Sequence, residues 1–77
     1  MSVDRWEARV FNKSVREAFE KEGFNTTAFG DKWADAHYII VFAESRLEAE
    51  KIFEQKYPAK NGFVVSDIVN LDRSNSF

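Results

Sequence analysis

Cysteine is absent from these 77 residues, histidine and proline occur once each, and glycine three times. Without thiols there is no disulfide framework, no Cys-based zinc site and no thiol redox chemistry. Gly23, Gly30 and Gly62 stand far apart, so none belongs to a phosphate-cradling loop and each reads as a turn residue. The longest apolar run, Tyr38 to Ala43, is far shorter than a membrane span. Met1 to Trp6 has neither the basic nor the apolar region of a secretory leader, and a cytoplasmic location is expected. Charge of one sign is lacking too. Eleven Lys and Arg are interleaved with thirteen Asp and Glu for a net −2, which gives phosphate backbones no clustered cations and disfavours nucleic acid as a partner.

What is present suffices for one small domain. Hydrophobic residues make up 44% and aromatics 16%, including eight phenylalanines. That supports a core without metal or disulfide at a length where only about 60% of the unfolded surface can be buried. The organising stretch is Ala36 to Pro58. Tyr38-Ile39-Ile40-Val41-Phe42-Ala43 reads as a buried strand, rich in β-branched and aromatic residues. Ser45 with Glu48 three residues on is a capping box. The serine oxygen accepts from a first-turn N–H and the glutamate reaches back to the cap's own N–H. The helix runs from Arg46 to about Tyr57, with Ala49, Ile52, Phe53 and Tyr57 as its buried stripe, and Pro58 stops it.

Before it, Val3 to Phe11 alternates as a strand, Trp6, Ala8 and Val10 on one face and Glu7, Arg9 and Phe11 on the other. Ser14 and Glu17 form a second capping box, with Asn12 as an alternative cap. The helix they open carries Val15, Ala18 and Phe19 inward and ends at Gly23, where Phe24 is placed to fold back on Phe19. Phe24 to Phe29 reads as a short polar edge strand, turning at Gly30-Asp31-Lys32. Phe63 to Leu71 is the last strand, with Asp67 marking a bulge or an exposed edge. Residues 1–71 thus form a single α+β domain and 72–77 a frayed polar tail. The order is that of a ferredoxin-like βαββαβ two-layer sandwich, a four-stranded antiparallel sheet with two helices on one face. If 24–35 is a loop, a three-stranded sheet with two helices remains.

Chemistry is scarce. His37 has Asp35 two residues before it, but one imidazole without a second soft ligand makes a poor metal or acid–base site, and no metal, cofactor or catalytic residue is assigned. Ser14 and Ser45 are accounted for as caps and lack a nucleophile elbow. Glu44, Glu48, Glu50 and Glu54 read as a solvated helix face. The run from Tyr38 to Glu50 resembles the third strand and second helix of RNA-recognition motif domains. Aligned on Phe42, Asp35 falls at that family's basic position and Ala36 at its first glycine, with His37 and Ile39 at the two base-stacking positions. The likeness covers about a quarter of the chain and implies topology; the stacking aromatics it would need for RNA are replaced.

A helix layer covers one sheet face only, yet the third strand is apolar on both parities. With Tyr38, Ile40 and Phe42 assigned inward, Glu7, Arg9, Phe11, His37, Ile39 and Val41 are expected to share an open face, an apolar patch rimmed by charge. The expectation is a non-enzymatic interaction module using that face or an edge strand, as a homodimer or as an adaptor or inhibitor of a larger protein. A single-stranded RNA or DNA binder is the alternative.

Overall fold

The computed structural model describes residues 2–73. β1 (Asp4–Asn12) runs straight into α1 (Lys13–Glu22), and a loop with a short 3-10 turn (Asp31–Ala34) leads to β2 (His37–Ala43). There follow α2 (Arg46–Lys56), a second 3-10 turn (Ala59–Asn61) and β3 (Phe63–Asn70). The three strands form one antiparallel sheet in the order β2-β1-β3. The protein is therefore α+β with a three-stranded sheet and two helices; the fourth strand is not formed.

The physical reason lies in the side chains of the 24–35 segment. Asn25 and Thr27 satisfy the loop's own backbone instead of leaving it for a neighbouring strand. The Asn25 amide oxygen accepts from the Thr27 backbone N–H (2.9 Å) and hydroxyl (2.6 Å), while its Nδ2 donates to the Phe29 carbonyl (2.6 Å) and to Asp31 Oδ1 (2.8 Å). Such local bonds compete directly with sheet ladders. The knot also aims two rings at the core. Phe29 meets Phe63 at 5.1 Å between centroids, and Trp33 lies 5.0–5.5 Å from His37, Tyr57 and Phe63 in edge and tilted contacts. These are favourable aromatic separations.

The rest of the core is Trp6, Ala8 and Val10 of β1, Val41 and Ala43 of β2, Ala49 and Phe53 of α2, and Phe63 of β3. α2 lies over β2 and β3, whereas α1 packs chiefly on the first 3-10 turn. The Ser45–Glu48 capping box forms with one change. Ser45 Oγ accepts from the Glu48 N–H (3.2 Å), but the Glu48 carboxylate takes the N–H of Glu44 (2.8 Å) rather than that of the cap itself. The first helix is capped by Asn12, not Ser14: its side chain accepts from the N–H groups of Ser14 and Val15. Gly23 ends α1 at φ +80, with its N–H bonded to the Phe19 carbonyl, while Phe24 stays exposed instead of folding back.

Asp67 is the bulge. The β1–β3 register shifts between Glu7 and Arg9, and Asp67 takes φ +54, in the left-handed region that Asp tolerates better than a β-branched residue. Asp67→Val is expected to cost about 1–2 kcal/mol and Asp67→Gly to be neutral or stabilising, measured as urea midpoints.

Asp72 and Arg73, expected in the frayed tail, are tied to β1; residues 74–77 lie outside the described residues. Asp72 accepts from the Arg5 guanidinium (2.8 and 3.0 Å) and backbone N–H (2.7 Å), and Arg73 Nε reaches Asp4 at 2.9 Å. The hydrogen bonds from the Arg5 side chain hold the Asp72 carboxyl below its ordinary range. A depressed carboxyl contributes stability that is complete above the unfolded value, about pH 4, and is lost as pH falls through the depressed one. Asp72→Asn should therefore remove part of the acid-side slope in urea midpoints measured against pH, leaving the neutral-pH slope unchanged.

Candidate interaction face of the sheet

Residues directly opposite in an antiparallel pair share a face. Trp6 lies opposite Val41, Ala8 opposite Ile39, and Val10 opposite His37. Because Trp6, Ala8 and Val10 pack into the core, Ile39, Val41 and His37 point the same way. This overturns the expected face of β2. Val41 is buried and Ile39 is half-buried against the core. His37 is half-buried, its ring against Trp33 and its Nε2 at 2.8 Å from the Lys32 carbonyl.

The open face carries the opposite parity. Glu7, Arg9 and Phe11 are on it as expected, but their β2 neighbours are Ile40 beside Glu7, Tyr38 beside Arg9, and Phe42 beside Arg5. On the other side β3 contributes Val64, Ser66 and, beyond the bulge, Val69. Tyr38, Ile40 and Phe42 are 64%, 47% and 64% exposed, so sequence reasoning buried the three residues that most define this surface. One signal could have found them. Continuing the even parity gives the charged Glu44, whereas the odd parity ends in the small Ala43, which fits beneath a helix. Ala43 is in fact fully buried, and its carbonyl accepts from the Trp6 indole N–H at 3.1 Å.

The charges on the face are few and mostly engaged. Arg5 is paired with Asp72, and Arg9 and Arg16 both sit over the Phe11 ring, at 5.4 and 3.8 Å from its centroid. Arg16 Nε also donates to the Ala34 carbonyl (2.9 Å), which fastens α1 to the 3-10 turn. A shallow groove of about 640 Å³ lies elsewhere, between α2 and β3, lined by Phe53, Tyr57, Phe63 and Ile68 and edged by Glu50, Glu54 and Lys60. Among the described residues, no three His, Asp or Glu side chains converge on a metal-sized site. No helix among them is long and apolar enough to cross a membrane. Comparison with protein-family models, with curated proteins and with solved structures gives no match.

Proposed function

We propose that the chain is a small, non-enzymatic protein-interaction module, a homodimer or an adaptor or inhibitor of a larger protein, working through the open sheet face and its β2 margin. The observation that carries this reading is the exposed row Tyr38, Ile40 and Phe42, bordered by Arg5, Glu7 and Arg9. An apolar centre with aromatic and arginine residues and a charged rim is the composition of a protein-binding patch. Tyrosine and arginine also concentrate binding energy once water is excluded from them.

A second reading draws on the cross-strand pairs Arg5–Phe42 and Arg9–Tyr38, since cations beside exposed rings also suit single-stranded nucleic acid. It is weakened by Glu7 between the two arginines, by Asp72 on Arg5 and by the net charge of −2. A photo-crosslinking amino acid placed at Tyr38, and for comparison at Gln55 on the exposed surface of α2, separates the two readings in cells. Polypeptide adducts at 38 and not at 55 are expected. Nucleic-acid adducts at 38, or equal labelling at both positions, would overturn the module reading.

A further inference from the structure

We infer that β2 pairs edge to edge with β2 of a second copy of this chain, antiparallel about a two-fold axis at Ile40, so that one six-stranded sheet runs through the dimer. The inference rests on the reading of this side of the sheet as the working surface and names its partner. It starts from the two sheet margins, which are treated differently. The β3 margin is guarded: Asp67 bulges out of it, and the Arg46 guanidinium bonds the Ile68 carbonyl at 3.1 Å. Bulges and charged side chains are the usual means of keeping an edge from pairing.

The β2 margin has none of these devices. His37–Ala43 contains no lysine, arginine, carboxylate or proline, and its register with β1 is unbroken. Apart from the Trp6 bond to Ala43, the backbone of β2 is bonded among the described residues to β1 alone. A ferredoxin-like sheet would have a further strand here, but residues 24–35 are committed to the aromatic cluster on the helix-covered face. Backbone donors and acceptors along seven residues require an extended strand as occupant, about 23 Å of it at ~3.3 Å per residue.

The side chains make a second copy fit that requirement. Two-fold symmetry demands antiparallel, self-complementary pairing. Centred on Ile40, it sets Tyr38 against the partner's Phe42 and Ile40 against its own counterpart on the open face, with Ile39 against the partner's Val41 behind. Aromatic and β-branched cross-strand pairs are the favourable ones, and no like charges meet within the strand. The contact is confined to seven residues along one edge, so the dimer is expected to dissociate on dilution within the micromolar range. The ionised groups nearest the two ends of the strand, Asp35 and Glu44, are both acidic, so salt strengthens association, the opposite of its effect on nucleic-acid binding.

The absence of cysteine makes the register directly readable. Opposed residues have Cβ atoms about 4.5–5.5 Å apart, close to what a disulfide needs. Under mild oxidation Ile40→Cys should link to itself, and a mixture of Tyr38→Cys with Phe42→Cys should link far more than either alone. Sedimentation velocity of the unaltered chain over the micromolar to millimolar range should show a dimer that Ile40→Asp weakens by more than about tenfold. A dimer that links instead through Arg9→Cys or Ser66→Cys, in the middle of the sheet, overturns edge pairing while leaving the interaction face intact. A chain that stays monomeric throughout overturns the inference, and the photo-crosslink at Tyr38 then decides the module reading separately.

Discussion

Val41→Asp is expected to abolish folding, while Ile40→Asp, one residue away, leaves a folded protein. Val41 is 5% exposed, opposite Trp6 and within the cluster formed by Ala43, Ala49 and Phe53. The substitution removes about 1.5–3 kcal/mol of apolar burial and leaves a carboxylate with no partner in a region of low dielectric. A domain of this size is stable by only about 5–10 kcal/mol, so the two effects together consume most or all of it. Ile40 projects the other way and is 47% exposed, so an aspartate there keeps its water and the change should cost no more than about 1 kcal/mol. Circular dichroism and urea midpoints of both variants make the comparison. A folded Val41→Asp beside an unfolded Ile40→Asp would invert the faces, because a shift of one residue turns every side chain of a strand over.

That inversion is where the sequence was hardest to read, and the reason is physical. Period two is informative only when one parity is polar, and β2 is apolar on both. Size was then a poor guide. The larger residues Tyr38 and Phe42 lie outside, while the smaller Val41 and Ala43 are buried, because Trp6 and Phe53 already fill the space between sheet and helix. β1 alternates clearly, and its Trp6, Ala8 and Val10 are buried as expected. The patch of Glu7, Arg9 and Phe11 was half legible for that reason, while its β2 half had to come from register.

Punctuation residues were easier to read. Ser45, Gly23, Pro58 and the Asp67 bulge each act where expected, because each carries a local backbone requirement that distant packing does not alter. The 24–35 segment failed on the opposite account. Its Thr pair and flanking rings have strand propensity, but the Asn25–Thr27 bonds compete locally with a ladder, and the fit of Trp33 against Tyr57 and Phe63 depends on residues far away in the chain. Propensity yields to such tertiary context. The consequence reaches the candidate surface: β2, expected to be a buried strand, became an open edge.

Asn12→Ala is expected to cost about 2–4 kcal/mol, the largest loss from any single polar side chain described. Asn12 is fully buried at the seam where β1 becomes α1. Its Oδ1 accepts from Ser14 N–H at 2.9 Å and Val15 N–H at 3.1 Å, and its Nδ2 donates to the Asn61 carbonyl at 3.0 Å. Losing a cap costs about 0.5–2 kcal/mol, and each buried group left unpaired adds about 1–3. The site cannot relax easily. Lys13 N–H is bonded to the Gly62 carbonyl at 2.8 Å, and Gly62 sits at φ +94 so close that a Cβ would collide with Ser14 Oγ and Asn12 Oδ1. One asparagine therefore starts the first helix and also anchors the turn that feeds β3, although 49 residues separate it from Asn61. Asn12→Asp divides the two roles. It keeps the acceptor that caps the helix but turns a carboxylate oxygen toward the Asn61 carbonyl, so it should be destabilising with the helix still formed. Ser14→Ala is the control, with an expected change within about 0.5 kcal/mol, because Ser14 caps nothing. Urea midpoints of the three variants decide the assignment. If Ser14→Ala loses as much as Asn12→Ala, the helix begins two residues later than Asn12 dictates, and the seam between β1 and the Asn61 turn is not what holds it.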